Sequence, residues 1–223
     1  ARYALPPVVG RFKADFPKVH LALHQTSPAE IAAMLLAGEA DIGIATEGLA
    51  SVAELASFAF YEWRHAVIAP DGHPLISIQP LTLDAVAEHP LITYHEGFTG
   101  RAKLDAAFAR AGLAPDIVIS ALDADVIKTY VELGLGIGII ASVAFNPVKD
   151  GGLRLLDSAR LFEKNITWIA VRRGRYLRNF AYRFIEWCNP ELSEPLVRNA
   201  SSTAPSLTSA PGRGEVFEGG GGI

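Results

Sequence analysis

Residues 123–141, with the sequence DADVIKTYVELGLGIGIIA, contain a helix, a glycine turn and a strand in direct succession. Residues 124–133 have apolar side chains at helical spacing, and the aspartates at the start complement the helix dipole. Gly134 is typical of a helix C-terminus, and the apolar run 136–141 is typical of a buried strand. Gly136 and Gly138 within that run indicate close backbone packing.

The same alternation of helices and strands extends through most of the chain. Ser27 is predicted to cap a helix, because Pro28 follows it and Glu30 stands three residues after it. The alternation predicts an α/β fold with mostly parallel sheets. Helices are predicted at 2–16, 28–37, 83–87, 99–111, 124–133 and 177–188, and strands at 19–23, 41–45, 57–69 (interrupted at 62–65), 91–94, 117–121, 136–141, 153–156 and 166–171.

Two strand stretches, near 57–65 and 164–172, stand where a chain could cross to a second α/β lobe and return. They divide the sequence into lobe I, residues 1–61 plus 166–192, and lobe II, residues 62–165. Residues 193–223 are rich in Ser, Pro, Thr and Gly. Such a composition cannot bury enough apolar surface to offset its ordering entropy, so this tail is predicted to be disordered.

Composition excludes several classes of protein. The 223 residues include one cysteine, Cys188, which rules out an internal disulfide framework and a CxxC metal or redox site. The formal charge of −4 argues against binding nucleic acid through this piece alone. No apolar run approaches the roughly 18–20 residues needed to cross a bilayer, and no signal peptide is visible. We therefore expect a cytoplasmic protein with no membrane partner.

Two threonines follow predicted strands. Thr46 comes after strand 41–45, and Thr99-Gly100 opens a helix after strand 91–94. Small ligands of α/β sheets bind beyond the carboxyl ends of strands, where helix N-termini offer N–H groups to anions. Residues 97–101 therefore suit a sulfate, phosphate or carboxylate. The alternative interpretation is that Thr99 only caps its helix.

No catalytic or metal centre is predicted. The order helix, glycine turn, strand at residues 134–138 is the reverse of a dinucleotide-binding fingerprint. His20 and His24 lie about 13 Å apart on a predicted strand, too far to share a metal, and His65 is assigned a surface or core-edge role. GxSxG, P-loop and HExxH motifs are absent from the sequence. We predict that the chain is not an enzyme.

Several segments together resemble one family. They are ARYALPPV (1–8), ADIGIATE (40–47), FTGR (98–101), DADVIKTYV (123–131) and GLGIG (134–138). The set is similar to the effector-binding domain of LysR-type transcription regulators, in the CysB- and Cbl-like branch that controls sulfur assimilation and cysteine biosynthesis. The resemblance covers about residues 1–190. It implies two Rossmann-like lobes with a cleft between them, as in type 2 periplasmic binding proteins.

The resemblance also implies a ligand and a site. In this branch, threonine hydroxyls and helix-start amides in the cleft hold a small anion, and no cofactor is involved. The matching positions are Thr46 and Thr99 with Gly100, and their expected neighbours are Glu47, Tyr61 and Trp63. The expected effector is sulfate, thiosulfate, adenylyl sulfate, or O- or N-acetylserine. The family's motif includes a Thr-x-Thr-Gln segment that would precede Ala1.

The implied partners are a second copy and DNA. The first helix of one protomer would pack on lobe II of the other, with Tyr3, Val9, Lys128 and Val131 in the dimer interface. The full-length protein would be a tetramer that binds DNA only through an upstream helix-turn-helix. One alternative is a periplasmic solute-binding protein for a small anion. Another is a transferase on the same two-lobe scaffold, which would need a nucleophile or an acid–base pair in the cleft.

Overall fold

The computed structural model describes residues 3–46 and 48–202 of the chain. The helices of this part are α1 (Leu5–Asp15), α2 (Pro28–Ala37), α3 (Leu83–Ala87), α4 (Arg101–Arg110), α5 (Ala124–Glu132), α6 (Asn179–Cys188) and α7 (Glu194–Ser202). The strands are β1 (Gly43–Ala45), β2 (Leu55–Pro70), β3 (Leu91–Tyr94), β4 (Ile117–Ala121), β5 (Ile137–Ala141), β6 (Leu153–Leu155) and β7 (Lys164–Arg172).

Strand β2 is long and joins two halves of the sheet, whose strand order is β1-β7-β2-β5-β3-β4. It pairs antiparallel with β7 as far as Arg64↔Lys164 and then, from His65↔Ala141 onward, with β5. The change of partner between Arg64 and His65 separates a lobe built on β1, β7 and the start of β2 from a lobe built on β3, β4, β5 and β6. The predicted lobe boundary at 61/62 lies within β2, three residues before this change.

Each lobe has apolar packing on both faces of its sheet. In lobe II, α3 and α4 cover one face through residues such as Val86 and Phe108, and α5 covers the other through Ile127. In lobe I, α6 and α7 pack on one face and α2 packs on the other. Strands β3, β4 and β5 are mutually parallel, whereas β2 and β7 run antiparallel to their neighbours. The sheet is therefore mixed, and the prediction of mostly parallel sheets is wrong, because the two long strands that join the lobes pair antiparallel.

Two predictions made from short stretches of sequence are confirmed, the capping box of α2 and the close packing at two glycines. Ser27 and Glu30 form the predicted capping box at the start of α2. A Cβ on Gly136 would lie 2.4 Å from the carbonyl oxygen of Pro90, and one on Gly138 would lie 2.6 Å from Cγ1 of Ile68. Both glycines are therefore required by close packing, as the sequence indicates.

Three predicted elements are wrong. Residues 20–27 have no regular secondary structure, and within the described part of the chain they pair with no strand. Polar residues 62–65 do not interrupt β2, because each of them has a partner on β7 or β5. Residues 194–202 of the predicted disordered tail form α7, whose Val197 is buried against lobe I. Residues 203–223 lie outside the described residues.

Candidate functional site

Tyr61, Trp63 and His65 alternate along β2 and therefore share one face of the strand at the junction of the lobes. The indole of Trp63 is buried and donates a hydrogen bond from Nε1 to Oγ1 of Thr167 at 3.1 Å. The ring of His65 meets the ring of Trp63 edge-on, with 5.0 Å between centroids. This face of β2 therefore carries three aromatic side chains, of which Trp63 and His65 are in ring contact.

The loop before α4 has an unusual backbone. Thr99 has φ +46°, and it is the only residue other than glycine with a positive φ in the described part of the chain. A β-branched residue rarely adopts this conformation, so neighbouring groups must hold it there. Helix α4 begins at Arg101 with Gly100 as its N-cap, and no side chain caps it. The interpretation of Thr99 as a helix cap is therefore wrong.

His65 connects the loop to the junction strands. Its Nε2 lies 3.0 Å from the carbonyl oxygen of Thr99, and its Nδ1 lies 3.4 Å from Nδ2 of Asn165 on β7. Burial lowers the pKa of the His65 imidazole to about 4, although the Thr99 carbonyl raises it, so the ring is neutral at pH 7. The sequence assigned His65 a surface or core-edge role and did not single out Asn165; the structure buries both.

The cationic side chains near the loop are already occupied. Buried Arg101 donates to the carbonyl oxygen of Tyr94 at 2.5 Å and forms an ion pair with Asp105 at 2.7 Å. Lys103 donates to the carbonyl oxygen of Lys164 at 2.6 Å, which ties α4 to β7. The backbone N–H of Arg101 donates to the carbonyl oxygen of Phe98. The threonine hydroxyls are therefore neutral donors that could bind an anion without breaking these contacts.

Thr46 belongs to lobe I and is half-buried directly after β1. The last residue pair of β1 joins Ala45 to Trp168. The residue before Trp168 is Thr167, which accepts the hydrogen bond of Trp63. Thr46 and Thr99 thus follow strands of different lobes. Glu47, the predicted neighbour, lies outside the described residues.

The predicted interface residues fall into two groups. Tyr3 is partly exposed and donates from its hydroxyl to Oδ1 of Asp125 at 3.2 Å, and Val9 is half-buried. Val131 is fully buried in lobe II, and Lys128 is 9% exposed and bound to acidic side chains of its own lobe. Lys128 and Val131 thus have their contacts within their own lobe, and their assignment to an interface stays a prediction. The exposed apolar side chains of this region are Val126, Tyr130 and Leu133.

Other features do not suggest chemistry. Within the described residues, no group of three or more His, Cys, Asp or Glu side chains is arranged to hold a metal ion. Burial raises the pKa of the Cys188 thiol to about 12, so a thiolate is disfavoured at neutral pH. In the same part of the chain, no helix combines the length and apolar character needed to span a membrane.

Comparison with known proteins identifies the family of this chain. The family model of the LysR substrate binding domain matches residues 1–193. The HTH-type transcriptional regulator SsuR of Burkholderia cenocepacia is 53% identical over 194 residues, which cover 87% of this chain and 63% of that protein. CysB of the same organism is 50% identical over 200 residues, covering 90% and 64%, and cbl of Escherichia coli K12 is 50% identical over 193 residues, covering 86% and 61%.

A crystal structure of the cofactor-binding domain of the Cbl transcriptional regulator superposes with a TM-score of 0.86 and 48% identity, over 91% of this chain and 89% of that one. Such domains have two α/β lobes in the arrangement of type 2 periplasmic binding proteins, which confirms the predicted fold class. These relatives are transcriptional regulators rather than enzymes or exported binding proteins. The chain spans less than two-thirds of the length of the curated relatives.

Proposed function

Because the chain belongs to the LysR substrate-binding domain family, in the group of SsuR, CysB and Cbl, we propose that it senses a small sulfur metabolite in the cleft between its lobes. The effector is sulfate, thiosulfate, adenylyl sulfate, or O- or N-acetylserine. The observation that carries this proposal is the left-handed conformation of Thr99 at the start of α4, where its side chain does not cap the helix. Strained backbone of this kind is concentrated at ligand sites.

A site of neutral donors suits an anion of this size. Oriented O–H and N–H groups can replace the hydration shell of sulfate, and the N-terminal end of a helix adds a partial positive charge. Arg101 and Lys103 keep their internal partners, so binding does not depend on a free cation. Thr46 from lobe I and Thr99 from lobe II would each donate to the anion. A ligand held from both lobes favours one relative orientation of them by its differential affinity.

The family resemblance adds a segment before Ala1, and the fold offers a place for it. Strand β1 pairs on one side with β7, and along its other side runs a groove of about 310 Å³. The groove passes between residues 41–44 and the unpaired residues 19–24, over the side chains of Phe12 and Phe184. We propose that the Thr-x-Thr-Gln segment lies here as an extended strand, beside Thr46. Binding is therefore measured on the natural full-length protein.

Thr99→Ala and Thr46→Ala are each expected to weaken sulfate binding by about 1–3 kcal/mol, because each removes one hydrogen bond to a charge. Calorimetric titration of sulfate at constant ionic strength measures the loss. Thr82→Ala is the matched control, because Thr82 caps α3 and its loss should lower stability without changing affinity. Unchanged affinity in both Thr46 and Thr99 variants would place the site elsewhere.

We further propose that the domain forms an antiparallel homodimer through α1 of one copy and α5 of the other. Exposed Val126, Tyr130 and Leu133 give α5 an apolar surface next to Tyr3, and such surfaces mark interaction sites. The full-length protein would be a cytoplasmic tetramer that binds the promoters of sulfur-assimilation genes through its upstream helix-turn-helix.

At micromolar concentration the wild-type chain is expected to sediment as a dimer, and Val126→Asp as a monomer, because a buried charge opposes association. Leu196→Asp is the control, because Leu196 is a similarly exposed apolar residue on α7, a helix that packs on α6 and β2. A wild-type monomer at this concentration would contradict the proposed dimer.

A further inference from the structure

We propose that His65 is a positioning residue of the effector site, which holds Thr99 in its left-handed conformation through a hydrogen bond to the Thr99 carbonyl. This inference rests on the proposed function, because it concerns the same anion site. Thr99 is 34 residues from His65 in sequence, so the contact is created only by the fold. His65 does not touch the anion; it acts through the backbone of Thr99.

The chemistry of the contact fixes the tautomer of His65. A carbonyl oxygen can only accept a hydrogen bond, so Nε2, at 3.0 Å from the Thr99 oxygen, must carry the proton and donate it. Nδ1 of the neutral ring is then an acceptor, and the amide Nδ2 of Asn165 donates to it at 3.4 Å. Asn165 therefore favours the tautomer that binds Thr99. Both residues are only 1% exposed, so water does not compete for these groups.

The residue after Thr99 fits the same cluster. A Cβ on Gly100 would lie 2.6 Å from Oδ1 of Asn165 and 3.0 Å from Cε1 of His65. Gly100 has φ +71°, which a side chain would also strain. The backbone of residues 99–100 therefore lies directly on His65 and Asn165, and its unusual conformation has an identifiable cause.

His65 and Asn165 lie where the two lobes join, so the hydrogen bond from His65 to Thr99 connects the anion-binding loop to the junction. His65 is the first residue of β2 that pairs with lobe II, and Asn165 stands on β7 opposite Trp63, at the end of the lobe I pairing. The loop that contains Thr99 and would bind the anion therefore contacts β2 and β7, the two strands at the junction of the lobes. A change in the loop on binding would reach these strands directly.

The test compares His65→Phe, which keeps a ring but has no donor, with His65→Gln, whose Nε2 can donate from nearly the same place. Sulfate affinity of the full-length protein is expected to fall roughly tenfold in His65→Phe and by less than about threefold in His65→Gln. His73→Phe is the control, because His73 caps a short 3-10 helix and packs against the ring of His89, both within lobe II. Thermal midpoints are recorded for all variants, since a purely structural role would lower them without this difference in affinity.

A second measurement needs no variant. Nitrogen-15 NMR of the histidine rings distinguishes the two neutral tautomers from the cation, and at pH 7 His65 is expected to be neutral with its proton on Nε2. A proton on Nδ1, or a cationic ring, would overturn the inference even where His65→Phe fails to fold. Equal sulfate affinity in wild type and His65→Phe would overturn this inference alone. Absence of sulfate binding in the wild type would overturn the proposed function with it.

Discussion

Replacing Lys128 by methionine is expected to lower the free energy of unfolding by about 3–5 kcal/mol, because it leaves a buried carboxylate without its counter-ion. Nζ of Lys128 lies 3.0 Å from Oδ1 of Asp150, 2.9 Å from Oδ1 of Asp125 and 3.1 Å from the carbonyl oxygen of Ala144. Asp150 is 7% exposed, and among the described residues its carboxylate would keep only the hydrogen bond from the backbone N–H of Asn146.

The pKa of Lys128 also indicates a stable ion pair. Burial alone would lower the pKa of its ammonium, but the hydrogen bonds and charges of Asp125 and Asp150 outweigh burial and raise the pKa. The ion pair is therefore intact at neutral pH. Lys128→Met removes the cation but keeps most of the side-chain volume. The decrease in the free energy of unfolding therefore reports the lost ion pair rather than lost packing.

Equilibrium unfolding in urea measures the effect, and two controls separate its causes. Lys128→Met combined with Asp150→Asn should recover much of the loss, because the amide carries no charge. Lys164→Met removes an exposed ion pair with Glu62 and should change stability by less than about 1 kcal/mol. A loss below about 1 kcal/mol for Lys128→Met itself would show that water reaches Asp150.

Phe12→Ala is expected to destabilise the chain by a similar amount, about 3–5 kcal/mol, because it opens a cavity where α1 packs on α6. Phe12 is the buried residue of α1. Its ring centroid lies 5.3 Å from that of Phe16, 5.6 Å from that of Phe184 and 6.4 Å from that of Trp187. These rings hold α1 against lobe I.

Denaturant unfolding measures this loss, with Phe12→Leu as the graded control. Leucine fills part of the space, so its effect should be clearly smaller. Equal losses in Phe12→Ala and Phe12→Leu would mean that the ring contacts, rather than the filled volume, set the energy. A loss under about 1 kcal/mol in Phe12→Ala would show that α1 is not fastened to α6 by this cluster.

The sequence predicts elements whose causes are local. The capping box of Ser27 and the glycines at 136 and 138 are correct because neighbouring residues set helix starts and close strand packing. Elements that depend on distant partners are missed. Helix α7 forms because Val197 is buried among residues of β7 and α6, although its composition resembles a disordered tail. Residues 19–23 have the alternation of a strand but no paired neighbour.

In the candidate site, too, features with local causes could be predicted and features that depend on distant residues could not. Thr99 could be selected from its place after a strand, but its conformation depends on His65 and Asn165, and Asn165 is 100 residues from His65 in sequence. Helical periodicity places Lys128 on α5, but its burial depends on an ion pair with Asp150, 22 residues away in sequence, which no local pattern predicts. A signal for His65 was present: it follows Tyr61 and Trp63 at the spacing of two that places residues on one face of a strand.

The central claim is that the interlobe cleft senses a small sulfur metabolite, and calorimetric titration of the natural full-length protein tests it most directly. The titrants are sulfate, thiosulfate, adenylyl sulfate, and O- and N-acetylserine, at constant ionic strength and pH. We predict saturable binding of at least one of them, lost or strongly weakened in Thr99→Ala. Absence of binding by every titrant to a folded protein would contradict the claim, while leaving the LysR fold in place.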